Sequence, residues 1–213
     1  MPKRRGAFTL RRFDHPQSRI FRVAGSDTPP SFSSVKPAVI FVAGVHGVGK
    51  TTFARTISEA LGFPSYSAGT LITNRLGKLR TEDKRVANVS GNQDILVTSV
   101  REQFGAFETV ILDGHFCVRD QTGTVTRIPL ATYEALNLRV GVVLFGDTEA
   151  IQSQLSDRDG AFVRREDIEA LQAAEIEYSA EVANFLGIPI RVFKPTQVEE
   201  ARKFVMLHCG KRG

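Results

Sequence analysis

Three apolar runs break the chain at intervals: Val39–Val42, Thr109–Leu112 and Val140–Phe145. Each is of strand length, and none shows the in-and-out alternation of a strand with one wet face. Unbroken runs of this kind predict strands buried on both sides, as in a parallel sheet. Each run stops at glycine or an aspartate–glycine pair: Gly44, Asp113-Gly114 and Gly146-Asp147. Between them, apolar residues recur at three- and four-residue spacing, which predicts helices over Thr51–Leu61, about 69–79, Asn92–Phe104, Leu130–Leu136 and Glu166–Leu186. Gly62 and Gly187 stand where helix C-termini need a left-handed residue. In the longest helix, Ile168, Leu171, Tyr178, Val182 and Phe185 form the expected buried stripe, and Asp147 is placed to cap the helix that follows it. A short strand near Pro64–Ser67, a last strand at Ile188–Phe193 and a last helix at Gln197–His208 complete the alternation. Thr122–Thr126 reads as a turn or small hairpin. Strand–helix alternation of this length predicts an α/β domain, with five core strands and helices on both faces.

The first 36 residues do not share that pattern. Two β-rich runs within residues 7–23 flank Asp14-His15-Pro16, a hairpin-like arrangement, and residues 25–37 are rich in Ser, Pro and Gly, as linkers are. The chain therefore divides into a basic extension and linker, 1–36, and a domain over 37–213. Charge supports the division. Of the 28 Lys and Arg, eight lie within residues 1–36 against Asp14 and Asp27, so the net +5 belongs to the extension. Such an arm is either a solvated tail or a weak contact for nucleic acid or an acidic partner. No apolar run nears the ~18–20 residues of a membrane span, and the N-terminus lacks the apolar core of a secretory signal. Cys117 and Cys209 make no disulfide framework, which fits a reducing cytoplasm, and neither has zinc-ligand spacing with the histidines.

The chemistry begins at Gly44-Val45-His46-Gly47-Val48-Gly49-Lys50-Thr51, followed by Thr52. Glycines at these places let the backbone curl until successive N–H groups face one phosphate, with the positive end of the next helix behind them. Lys50 then supplies charge to the β- and γ-phosphates and Thr51 a hydroxyl to Mg²⁺. Asp113, a carboxylate ending an apolar strand, is the expected partner for that metal. Ser156–Arg165 reads as a loop in which Arg158 and Arg164 can close over a triphosphate; Arg165 serves that purpose or a helix ion pair. His46 sits where loop side chains point away from phosphate. His115, two residues past Asp113, is a candidate for substrate contact.

From Ala38 to about Val205 these segments resemble the nucleoside monophosphate kinases, and most of all the archaeal-type adenylate kinases. The residues that carry the likeness are Val42–Thr52, Leu112-Asp113-Gly114-His115, Arg158-Asp159 and Gly187–Val192. The resemblance implies a P-loop three-layer sandwich with a five-stranded parallel sheet ordered 2-3-1-4-5, an acceptor subdomain and a short lid. It implies ATP and Mg²⁺ as donor and cofactor, and an AMP-like acceptor near Ser67, Gly69, Thr70, Arg85 and Gln93. The Asp-Gly-[Phe/Tyr]-Pro-Arg of longer adenylate kinases is absent after Asp113. The expected activity is transfer of the ATP γ-phosphoryl to a small acceptor. A kinase-fold ATPase or switch, or a kinase of another hydroxylated substrate, is the rival.

Overall fold

Val39, Ile40, Phe41 and Val42 are all buried and form β1 (Ala38–Ala43), the middle strand of the sheet. The computed structural model describes residues 36–82, 89–120, 122–159 and 163–209, with the side chains of 78–82, 89, 90, 158 and 159 set aside. They belong to one compact unit, Phe32–Gly213. The hairpin-like run Phe8–Val23, most of the linker and the stretch Lys84-Arg85-Val86 lie outside the described residues, as does the side chain of Arg158.

After β1 come α1 (Lys50–Leu61), β2 (Ser65–Ser67), α2 (Ala68–Glu82), α3 (Val89–Phe104) and β3 (Thr109–Asp113). A hairpin of β4 (Cys117–Arg119) and β5 (Val125–Arg127) leads to α4 (Leu130–Ala135) and β6 (Leu138–Leu144). The chain ends through α5 (Thr148–Asp159), α6 (Arg165–Leu186), β7 (Ile190–Phe193) and α7 (Val198–His208). The five-stranded sheet runs β2-β3-β1-β6-β7, which is 2-3-1-4-5 when its own strands are counted, and its pairs are all parallel. The hairpin is a separate two-stranded sheet.

The apolar runs become β1, β3 and β6 for the reason their composition suggests: both faces are covered, and Val110, Ile111, Val140, Val142 and Val143 are at most 1% exposed. Gly141 is a glycine because β7 comes close. A Cβ there would lie 2.8 Å from Ile190 Cγ1. Asn137 takes the left-handed conformation at φ 59°, and its side-chain amide donates to the carbonyls of Lys36 and Pro37 at 3.2 and 3.1 Å. That ties the start of β1 to the turn before β6.

Two expectations are corrected. Ser156–Asp159 is not loop but the last turn of α5, a helix held at its start by Asp147, whose Oδ1 accepts the Ala150 N–H at 2.9 Å. Phe185 does not join the buried stripe of α6; it is 55% exposed, and Leu186 takes the inward place. The inner face of α6 is instead partly polar, with Gln172, Glu175 and Ser179 buried beside Leu171, Tyr178 and Val182.

Candidate active site

The backbone between β1 and α1 depends on glycine. Gly44, Gly47 and Gly49 have φ of 140°, 80° and 95°, conformations that side chains with a Cβ seldom adopt. At Gly44 there is also no room: a Cβ would stand 2.7 Å from the carbonyl oxygen of Leu144. Val45 and Val48 are buried and pin the loop to the core. Gly49 leads into α1, whose first turn carries no acidic residue and whose N-terminus has no side-chain cap, so its first N–H groups stay available for an anion. Lys50 is 8% exposed; its Nζ reaches back to the Val45 carbonyl at 2.8 Å, which holds the ammonium over the loop.

Parallel pairing brings the second element to the same place. Val42 stands beside Asp113 in the register of β1 and β3, and Ser67 beside Asp113 in that of β2 and β3. The Gly114 N–H then donates to the Val42 carbonyl at 2.9 Å, so Asp113-Gly114-His115 leaves the sheet alongside the phosphate loop. The His46 and His115 rings meet with centroids 4.2 Å apart. Behind His115, Glu175 of α6 is fully buried. Its Oε1 lies 3.2 Å from His115 Nδ1, and its Oε2 accepts the Phe116 N–H at 2.8 Å. Tyr133 fixes the same turn by donating to the His115 carbonyl at 3.0 Å. Burial, and secondarily the charge of Lys50, lowers the pKa of His115 to about 3. Burial pushes the Glu175 carboxyl up to about 7, against the opposing pull of the backbone N–H groups and of Lys50.

Two cavities meet at the loop. The inner one, about 320 Å³, is lined by His46, Lys50, Thr51, Ser67, Asp113 and His115, among others. The outer one, about 750 Å³, runs from Gly47–Gly49 along α1 to Phe145–Thr148, Arg165 and the turn Lys194–Thr196. Thr52, Gly47, Gly49 and Gln154 line both, so the cavities open on a shared stretch of loop. Gln172 clamps the wall between β6 and α5: its Oε1 accepts the Gly146 N–H at 2.9 Å and its Nε2 donates to the Gly146 carbonyl at 3.2 Å.

Of the residues singled out in the sequence, Lys50, Thr51, Thr52, Asp113, Ser67, Gly69, His46 and His115 are therefore brought together around the inner cavity. Thr70 is exposed and Gln93 half-buried; neither lines either cavity. Arg164 also lines neither. Its guanidinium binds Asp167 through Nε at 2.8 Å and a terminal nitrogen at 3.0 Å, and Asp167 is shared with Arg119 at 3.2 Å. Its neighbour Arg165 faces the outer cavity while bonded to Glu149 and Glu169 at 2.6 and 3.0 Å. Sequence reasoning missed Gln154, Glu175 and Gln172. The one signal for the last two is polar residues at the apolar spacing of α6.

Comparison with known proteins gives a family and distant relatives. Residues 43–172 match the AAA domain family. An adenylate kinase of Thermoplasma volcanium is 25% identical over 162 residues, 72% of this chain and 88% of the relative. A cytidylate kinase of Methanothermobacter thermautotrophicus is 24% identical over 131 residues, 60% and 81% of the two chains. Among solved structures, a sugar kinase from Janibacter sp. HTCC2649 superposes with a TM-score of 0.49 at 17% identity, covering 81% of this chain and 94% of its own.

Proposed function

The chain belongs to the AAA domain family, and from that premise we propose that it is an ATP-dependent phosphotransferase, carrying the γ-phosphoryl from the outer cavity to a small acceptor in the inner one. The observation that carries this reading is that the phosphate loop lines both cavities, with Lys50 and Asp113 gathered at the inner one. A donor and an acceptor bound on either side of the loop would be aligned for in-line transfer, and the protein would have little covalent chemistry to do. Lys50 would neutralise charge on the β- and γ-phosphates. Thr51 and Asp113 offer two oxygen ligands, a set that suits Mg²⁺ completed by phosphate and water. The metal would supply neutralisation of phosphate charge during transfer. Arg158, Arg164 and Arg85 remain proposed as lid and acceptor contacts.

The names of the relatives support a nucleoside monophosphate as acceptor. A hydroxyl-bearing acceptor is the second reading, favoured by an inner cavity whose described lining holds a single Lys or Arg, Lys50. Incubation with Mg-ATP and single candidate acceptors, with chromatographic resolution of products, tests the common core. ADP formed only with an acceptor supports transfer. ADP and free phosphate formed at the same rate with or without acceptor would mean an ATPase.

Asp113→Asn should raise the Mg²⁺ concentration needed for half-maximal rate and lower kcat, with a smaller effect on ATP affinity. A metal titration that overlays the wild-type curve would remove Asp113 from the site. We further propose that 37–213 is the catalytic domain. Deletion of residues 1–36 should leave transfer to small acceptors nearly unchanged, and flatten the salt dependence of any nucleic-acid binding, because eight cations leave with it. Unfolding of the truncated protein in a thermal melt would contradict that boundary.

A further inference from the structure

Among the described residues, Gly47, Gly49, Thr52 and Gln154 line both cavities. The first three belong to the phosphate loop and the first turn of α1. Gln154 comes from α5, and it is the one long side chain of the four. The helix that carries it is seated on the loop. Ile151 and Leu155 are buried, and a Cβ on Gly47 would stand 3.1 Å from Leu155 Cγ and 3.2 Å from the Ile151 carbonyl oxygen. Glycine at position 47 thus lets α5 lie directly against the loop. The helix is also tied at its start and from its middle. Asp147 accepts the Ala150 N–H at 2.9 Å, and Gln152 donates from Nε2 to the Val163 carbonyl at 2.7 Å. Position 154 is therefore held over the junction of the cavities by packing that does not involve its own side chain.

The Gln154 amide is uncommitted. Gln152 and Gln172 bind backbone at Val163 and Gly146, whereas Gln154 is exposed and has no hydrogen-bond partner among the described residues. A primary amide offers two N–H donors and one acceptor oxygen, and it carries no charge. Donation of such an N–H to a phosphate oxygen is a charge-assisted hydrogen bond, stronger than one between neutral groups. In phosphoryl transfer the charge that needs stabilising is spread over the oxygens of the moving group, and that group has to pass where the two cavities join.

We propose that Gln154 is a catalytic residue of the transfer, its amide N–H donating to a non-bridging oxygen of the γ-phosphoryl as the group passes from the outer cavity to the inner one. The inference rests on phosphoryl transfer at the loop, and adds a contact from α5 to those made by the loop itself. In the step, an acceptor oxygen forms a bond to the γ-phosphorus, and the bond from that phosphorus to the β–γ bridging oxygen breaks. The electron pair of the broken bond stays on ADP. An acceptor hydroxyl releases its proton to solvent, and a phosphate oxyanion has none to release. Gln154 neither gives nor takes a proton; its hydrogen bond travels with the group.

A contact to the γ-phosphoryl distinguishes ATP from ADP, which a contact to any other part of the nucleotide does not. The full chain and its Gln154→Ala and Gln154→Glu variants are titrated calorimetrically with the Mg²⁺ complexes of ADP and of the β,γ-imido analogue of ATP. Turnover of Mg-ATP is followed with AMP, CMP, glycerol and D-ribose as acceptors. Gln154→Ala should weaken the ATP analogue about tenfold and lower kcat about ten- to hundredfold, the worth of one hydrogen bond to a charged group, while ADP affinity and the melting temperature hold. Gln154→Glu keeps the size of the side chain but turns a carboxylate oxygen toward the phosphate, so the loss for the ATP analogue should exceed that of Gln154→Ala, again with ADP less affected. If Gln154→Ala does not fold, Gln154→Glu decides alone. Equal losses for the ATP analogue and ADP would place Gln154 on a part that the two nucleotides share, and would overturn the inference. Wild-type affinities and kcat in either folded variant would overturn it as well. Both outcomes leave the phosphotransferase standing. If the wild type binds neither nucleotide, or forms no phosphorylated product with any acceptor, the phosphotransfer reading itself falls and takes this inference with it.

Discussion

Lys50→Ala is expected to lower the rate of phosphoryl transfer by ~10²–10³ or more, the cost of removing one preorganised charge from a phosphoryl-transfer site. The lysine is buried at the mouth of α1 and held over the loop by the Val45 carbonyl, so its ammonium would not have to reorganise when phosphate charge develops. The fold should survive, because the aliphatic stem contributes little beside the apolar centre made by β1, β3 and β6. Circular dichroism and a thermal melt check the fold, and single-turnover kinetics check the step. A folded Lys50→Ala protein with near-wild-type turnover would show that the loop does not bind the reacting phosphates.

Gly44→Ala should be nearly as damaging by a different route. The new methyl would stand 2.7 Å from a backbone oxygen of β6, which cannot rotate away as the end of a side chain can. The residue would also have to hold φ near 140°. Strain of this kind costs roughly 1–3 kcal/mol, and here the relief available is to push the loop off β6. That movement would spoil the N–H groups that converge on phosphate. ATP affinity should fall about five- to hundredfold, together with a lower melting temperature. Unchanged values of both would mean that the loop accommodates the methyl in the conformation described. In that case the glycine is not needed for phosphate binding.

The parts of the molecule legible in the sequence are those set by local rules. Unbroken apolar runs could be read as β1, β3 and β6 because burial on both faces leaves no polar position. Gly62 and Gly187 end their helices with φ of 72° and 63°, as the need for a left-handed residue predicts. The loop Gly44–Thr51 and Asp113 were legible because their chemistry dictates residue types at fixed spacing. What the sequence did not yield are contacts between distant segments. Glu175 and Gln172 occupy the inward stripe of α6 and look like breaks in an amphipathic pattern until the fold brings Phe116 and Gly146 against them. The two arginines at the start of α6 are adjacent in sequence but differ in place. Arg164 precedes the first helical turn and pairs with Asp167 three residues on, while Arg165 projects toward Glu149 of α5 and the outer cavity. Thr70 turns outward because α2 already begins at Ala68, which gives the chain a helical rotation before the expected segment is reached.

The central claim is that the phosphoryl group crosses from one cavity to the other at the loop. The most direct test follows the group itself. With ATP labelled at the γ-phosphate, a single turnover is quenched and the label traced in the presence of the acceptors above. The account predicts label in an organic product for the wild type, with that product strongly diminished in Lys50→Ala. Label found only in inorganic phosphate, or equal labelling of the organic product by the wild type and Lys50→Ala, would contradict it.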